Sequence, residues 1–290
     1  MPILKPEQRP TFTATYNCSS FAFDHSLHEL DLFDLDQLRA LASRLPDPAY
    51  HSTAKSTIGD GWKRLGDHRP SLDATLATLA ETNSLVLLKH CEKDRQCGEL
   101  FRELMREVVE HAGDVLGADL DVGRTTIVIS SPRRVTSYHI DAEVNFLLQV
   151  RGHKLLHVFD PNDRTILSEA ELEAFYSGDF DGARYRAERE SDARVYQLEP
   201  GRGVHMPLHA PHWAQNLDDV SVGVSLNFNL RSGARLAKLY KMNNRLRKAG
   251  IAPTAPGISP WRDRVKLAAF ASVESARTLL HSRRQKATFN

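Results

Sequence analysis

Tyr138-His139-Ile140-Asp141 places a histidine and a carboxylate two residues apart, and Pro211-His212-Trp213 supplies a second histidine about 70 residues later. Two imidazoles and one carboxylate are a minimal ligand set for a divalent cation. Such a set holds one face of a non-haem Fe(II) and leaves positions open for a co-substrate and O₂. In extended chain, residues i and i+2 project to the same side, so His139 and Asp141 can reach one cation together. The third ligand must come from a strand distant in sequence and adjacent in the sheet. His205, His209 and His212 all lie near the right place. We take His212, because it begins a strand after the Pro211 turn and because Trp213 beside it would shield the site. His157 reads instead as a half-buried strand histidine. With 13 histidines in the chain, spacing alone does not make a metal site, and the elements must bring these groups together.

The pattern of the chain supplies such elements. Residues 1–25 read as an irregular extended arm. A helix is expected from Leu35 to Leu45, stopped by Pro46, and an amphipathic helix from Gly98 to Leu116 with Leu100, Leu104, Val108 and Val115 on one face. Ser84–His90 reads as a buried strand. From Arg124 onward short apolar runs alternate with turn residues: Arg124–Ser130, Glu143–Val150, Lys154–Phe159, Arg194–Leu198, Gly203–Met206, His212–Asn216 and Val220–Asn229. Many short strands with close turns predict a double-sheet jelly roll or barrel. One helix interrupts them at Leu167–Ser177, with Ser168 as N-cap and Glu171 completing a capping box. Two helices, Ser232–Lys248 and Trp261–Arg284, follow, joined by a Pro/Gly-rich link.

A resemblance sharpens the metal reading. The stretch Thr136–Lys154, TSYHIDAEVNFLLQVRGHK, resembles the JmjC branch of the cupin superfamily, Fe(II)- and 2-oxoglutarate-dependent oxygenases, and is most similar to the asparaginyl-hydroxylase type. That family carries a Thr three residues before the first metal His, an Asn four residues after the Asp, and a Lys thirteen after it. Thr136, Asn145 and Lys154 stand at those positions, and Asn227, in an Asn-Phe pair, stands fifteen residues after His212. The likeness covers roughly residues 120–230. It implies a double-stranded β-helix core in a domain over 1–230, flanked by N-terminal α/β elements, with 231–290 as a helical extension. It also implies His139, Asp141 and His212 as Fe(II) ligands, and Thr136, Asn145, Lys154 and Asn227 around 2-oxoglutarate. The chemistry agrees with the resemblance: a dicarboxylate needs a cation for its distal end, which Lys154 can supply as a charge-assisted hydrogen bond. Thr136 offers a hydroxyl, and Asn145 and Asn227 offer amides to the metal-bound end. The reaction implied is hydroxylation of a peptide, protein side chain or small molecule, with O₂ consumed and succinate and CO₂ formed. An intact Asp141 argues against halogenation, for which a small residue leaves room for chloride.

Composition limits the alternatives. Of 290 residues 41% are hydrophobic and 26% charged, ordinary for a globular protein, and no apolar run is long enough to span a bilayer. Cys18, Cys91 and Cys97 form neither a metal spacing nor an even disulfide set, which fits a cytoplasmic location. The net charge of +1 hides an asymmetry, because residues 233–290 carry 13 Lys/Arg against Asp263 and Glu274. No aromatic-basic interleaving accompanies this charge, so nucleic acid is not the expected partner. The apolar residues Leu236, Leu239, Leu246, Leu267, Phe270 and Leu279 point to a homodimer built on the two last helices, the alternative being that these helices pack on their own barrel. The segment Asp179–Arg194 is expected to act as a lid, and Phe175, Tyr176, Phe180 and Tyr185 either to hold substrate or to cover the barrel edge. Two other readings compete: a cupin metalloenzyme that does not use 2-oxoglutarate, and a non-catalytic cupin module acting through its basic tail.

Overall fold

The computed structural model describes residues 2–45, 50–61 and 71–287. Its strands are β1 (Phe21–Asp24), β2 (Tyr50–Ser52), β3 (Leu85–Lys89), β4 (Leu120–Ser130), β5 (Val135–His139), β6 (Val144–Arg151), β7 (Lys154–Val158), β8 (Arg194–Leu198), β9 (Arg202–Met206), β10 (His212–Asn216) and β11 (Ser221–Leu230). They form two antiparallel sheets, a large one in the order β1-β9-β6-β11-β4-β3-β2 and a small one in the order β5-β10-β7-β8. This is the expected double-stranded β-helix.

Alternation along the strands divides the side chains among three apolar clusters. Leu147, Leu156, Val204, Met206 and Ala214 meet between the sheets. On the outer face of the large sheet Phe146, Leu148, Val224, Leu226 and Phe228 pack under helix α4 (Gly98–Ala112) and the N-terminal segment. On the outer face of the small sheet Tyr138, Ile140, Phe159 and Trp213 pack with Leu172 and Phe175 of helix α6 (Glu169–Tyr176). Strand β6 is covered on both faces, which is why its sequence reads as a nearly continuous apolar run.

Several sequence expectations need correction. Residues 2–25 do not form the irregular arm expected over 1–25. They form helix α1 (Arg9–Thr15) and strand β1, which extends the large sheet by pairing with β9. The buried carboxylate of Glu107 fixes this segment by accepting from the Ile3 and Leu4 amides at 3.0 and 2.7 Å. The helix expected over Gly98–Leu116 breaks at Gly113, whose φ of +76° only glycine adopts readily. A short helix, α5 (Asp114–Asp119), follows, and Val115 is 66% exposed rather than on the apolar face. Strand β5 was not expected as a separate strand. Helix α2 (Leu35–Arg44) and α6 lie where expected, and α6 carries the capping box of Ser168 and Glu171. Between them runs α3 (Leu72–Ala77), capped by Ser71.

Helices α7 (Arg231–Lys248) and α8 (Pro260–Ala287) close the chain. The first packs on α6, with Tyr240 stacked on Tyr176, and Arg247 pairs with the buried Glu173 at 2.7 and 3.0 Å. The side chain of Leu279 lies outside the described residues.

Gly152 lets β6 turn into β7 and change sheets. Its φ is +68°, and an added Cβ would sit 2.3 Å from the Val220 carbonyl oxygen. Gln149 braces the turn by donating to the Arg151 and Gly152 carbonyls and to Ser221 Oγ. Gly152→Ala therefore combines left-handed strain with a backbone overlap, and a loss of about 3 kcal/mol is expected in denaturant unfolding.

Candidate metal centre

His139 ends β5 and His212 begins β10, and the two residues are directly paired across the small sheet. Asp141 follows two residues after His139, with Ile140 turned the other way into the outer cluster. The three side chains each offer a ligand atom, all within 4.8 Å of one another. His139 Nε2 lies 3.9 Å from Asp141 Oδ1, and His212 Nε2 lies 3.8 Å from Asp141 Oδ2.

The backbone sets both imidazoles. His139 Nδ1 lies 2.7 Å from the Ser137 carbonyl, and His212 Nδ1 lies 2.9 Å from the Ala210 carbonyl. A carbonyl only accepts, so each Nδ1 carries the proton and each Nε2 presents a lone pair toward the carboxylate. Burial pulls the His212 pKa down to about 4; the neighbouring His139 adds to the shift and Asp141 opposes it. His212 is therefore neutral at pH 7, the form a metal ligand must have. Two imidazoles and one carboxylate fit a divalent first-row cation.

The triad opens on a cavity of about 210 Å³ between the sheets, and all seven residues singled out from the sequence line it: Thr136, His139, Asp141, Asn145, Lys154, His212 and Asn227. Thr136 and His139 are three apart, which in a regular strand would place them on opposite faces. A register shift between His212 and Ala214 in the β10–β5 pairing lets both face inward.

Lys154 is 4% exposed and has no hydrogen-bond or carboxylate partner among the described residues. Burial alone pulls its pKa down to about 8. A buried ammonium with no carboxylate within ion-pair distance among the described residues is stabilised by an anion entering the cavity. Asn145 donates to Ser225 Oγ at 2.9 Å and to Asn227 Oδ1 at 2.8 Å, while its own Oδ1 is buried without a donor. Lys154 is paired with Asn216, and Val158, four residues on, with His212. At about 3.3 Å per residue the Lys154 and metal rows stand roughly 13 Å apart along the strand. A lysine side chain spans part of that distance, and a short dicarboxylate would span the rest.

Other expectations fall elsewhere. His205 is in the core against Phe146, with Nε2 accepting from the Asn17 amide at 2.9 Å, and His209 is bonded to the Tyr176 hydroxyl. Trp213 does not shield the metal side. Strand alternation turns it to the outer face, where it stacks on His157 at 3.9 Å. Phe175, Tyr176, Phe180 and Tyr185 do not line the metal cavity. The Asp179–Arg194 segment is tied down by the Arg186–Glu171 pair at 3.0 Å and by Trp213 Nε1 donating to Glu190 at 3.2 Å. The sequence reading passed over Ser225, Thr126 and Lys89, which also line the cavity. Ser225 stands two residues before Asn227 on the same strand, so alternation alone places it on the same face.

A two-sheet β-helix with a His-x-Asp pair and a distal His turned inward defines the cupin class of metal-site proteins. A model of the Cupin-like domain matches residues 47–233, and the chain belongs to that family. Among solved structures, Escherichia coli YcfD shares the fold with a TM-score of 0.53 at 16% identity, over 90% of this chain and 66% of that one. A second structure of YcfD, described as a ribosomal oxygenase in complex with cobalt and 2-oxoglutarate, matches with a TM-score of 0.50 at 15% identity, over 90% of this chain and 65% of that one. The chain thus spans just under two thirds of YcfD's length. No curated protein matches the sequence significantly. Among the described residues no helix is long and apolar enough to cross a membrane.

Proposed function

We propose that this protein is an Fe(II)- and 2-oxoglutarate-dependent oxygenase that hydroxylates a C–H bond of a protein, peptide or small molecule in the cytoplasm. The observation that carries this reading is Lys154, a buried ammonium without a counter-ion in the cavity that holds the triad. His139, Asp141 and His212 would hold Fe(II), which when bound supplies the redox chemistry coupling O₂ and 2-oxoglutarate to substrate oxidation, with succinate and CO₂ released. Lys154 would bind the distal carboxylate and Thr136 would hydrogen-bond it. The Asn145 amide hydrogens are taken by Ser225 and Asn227, so its free atom is the acceptor Oδ1, which a group with a hydrogen to donate would satisfy and a deprotonated 2-oxoglutarate oxygen would not. Leu147, Leu156, Met206 and Ala214 keep the cavity wall apolar, which strengthens each of these polar contacts. The likeness to a ribosomal oxygenase supports a protein as substrate.

Incubating the protein with Fe(II), 2-oxoglutarate and O₂ should give succinate, even slowly without the primary substrate. Calorimetry under anaerobic conditions should show 2-oxoglutarate binding only after Mn(II) or Fe(II) is added. Absence of both would end the reading. We also propose that residues 231–290 form a dimerising extension, because Trp261 and Val265 stay exposed one turn apart on α8. Light scattering at micromolar concentration should give twice the chain mass, and a monomer mass would refute this part alone.

A further inference from the structure

A second cavity, about 780 Å³, lies between the C-terminal end of α6, helix α7 and helix α8, and reaches Ala142, the residue after Asp141. Its α7 wall presents Lys241, Arg245 and Lys248, at i, i+4 and i+7 on one face. Among the described residues the only acidic group lining it is Glu274, which accepts from Arg245 Nη2 at 2.7 Å. Arg245 Nη1 is buried and has no acceptor among the described residues. Lys241 and Lys248 are exposed and have no carboxylate within ion-pair distance among the described residues. The contrast with Arg247 is informative, since its charge is spent on the buried Glu173. Phe180, 61% exposed, stands at the opposite wall.

We propose that this groove docks an acidic, extended peptide segment of the substrate and leads it past Ala142 to the metal. The proposal rests on the oxygenase reading only for its last step. Lys241 and Arg245 are about 6 Å apart along the helix axis, and Lys248 lies about 4.5 Å further. Acidic side chains at i and i+2 of an extended chain are separated by roughly 6.6 Å and can meet such a row. A cation row opposite one acidic group favours anions, and the unfilled Arg245 Nη1 supplies a fixed donor for a carboxylate. A nucleic-acid strand would need a series of exposed aromatic platforms for its bases. Among the described residues Phe180 is the one fully exposed ring of the groove, with Tyr176 and Phe270 half-buried beside it, and these suit apolar side chains next to the acidic ones.

The test uses the full chain without metal, at low salt, and a fluorescein-labelled octapeptide of alternating Glu and Ala, read by anisotropy. The octapeptide should bind, and its Gln-Ala counterpart should not. Lys241→Glu/Lys248→Glu should weaken binding at least about tenfold, while Arg235→Glu/Lys238→Glu, an equal charge reversal on α7 outside the groove, should change it less than about twofold. Both pairs are at exposed positions, so folding is not at risk. Equal losses from the two pairs, no peptide binding, or tighter binding of a single-stranded RNA octamer that the groove pair abolishes would each overturn the proposal. With Mn(II) bound at the triad, the peptide's alanine methyl resonances should broaden, and Asp141→Ala should remove the broadening but not the binding. Sharp resonances with Mn(II) demonstrably bound would refute the path to the metal. Failure of the wild-type protein to take up Mn(II) would defeat the oxygenase reading while anisotropy still decides the groove.

Discussion

Asp141→Ala should reduce the affinity for Mn(II) or Fe(II) by two orders of magnitude or more, and succinate formation should fall to background. The reason is electrostatic as well as geometric. Asp141 is the only anionic member of the triad, and its two oxygens lie 3.9 and 3.8 Å from the two Nε2 atoms. Without it, a divalent cation would face two imidazoles and no carboxylate ligand in a partly buried site, with the Lys154 ammonium in the same cavity. Loss of an outer-shell partner alone typically costs about 10–100-fold in metal affinity, and loss of a ligand should cost more. The folded state should tolerate the change, because removing the carboxylate leaves His212 with its Ala210 bond intact. Retained circular dichroism, together with lost metal-dependent stabilisation in a thermal melt, would separate this outcome from unfolding. An Asp141→Ala protein that still bound Fe(II) tightly would show that the triad is not the metal site.

The parts of this fold that were legible in the sequence are those governed by strand alternation. His212–Asn216 has the bounds expected from the sequence, and the expected Lys154–Phe159 runs one residue past the observed Lys154–Val158, because apolar and polar residues alternate between a lined cavity and a packed outer face. The same periodicity explains why Trp213 was misplaced: as the residue after an inward ligand, it must point outward. Strand β5 was illegible because its inward face carries Thr136 and His139 rather than apolar groups, and because the shifted register with β10 breaks the period of two. The N-terminal segment escaped for a different reason. Its position depends on Glu107, more than 100 residues away and buried beneath it, and no local pattern announces a contact of that range. The metal triad is also long-range, but two of its ligands are neighbours on one strand exit. Lys154 was legible as a position only through the resemblance; its burial without a partner is visible only in three dimensions.

That burial makes the second large effect predictable. Lys154→Met should raise the KM for 2-oxoglutarate by about 30-fold to several thousand-fold, the range for truncating one partner of a buried charge pair at about 2–5 kcal/mol. It should leave metal binding little changed, because Lys154 stands four residues along the strand from the row of His212. Stability without co-substrate should move the opposite way. The Lys154 pKa is about 8 in the folded protein against 10.5 for an ordinary lysine. Between those values the unfolded chain binds more protons than the folded one, so stability rises with pH through that window and is lowest below pH 8. The cost of burying the charged form is on the order of 3 kcal/mol, and Met, similar in length and uncharged, removes it. Lys154→Met should therefore melt higher than wild type at pH 7 without 2-oxoglutarate, and the difference should shrink toward pH 10. Wild type should instead gain stability at pH 7 on adding the dicarboxylate, and that gain should weaken above pH 8, where the ammonium must first be reprotonated. A wild-type protein whose 2-oxoglutarate affinity is flat from pH 7 to pH 10, or a Lys154→Met protein with unchanged KM, would remove Lys154 from the co-substrate site.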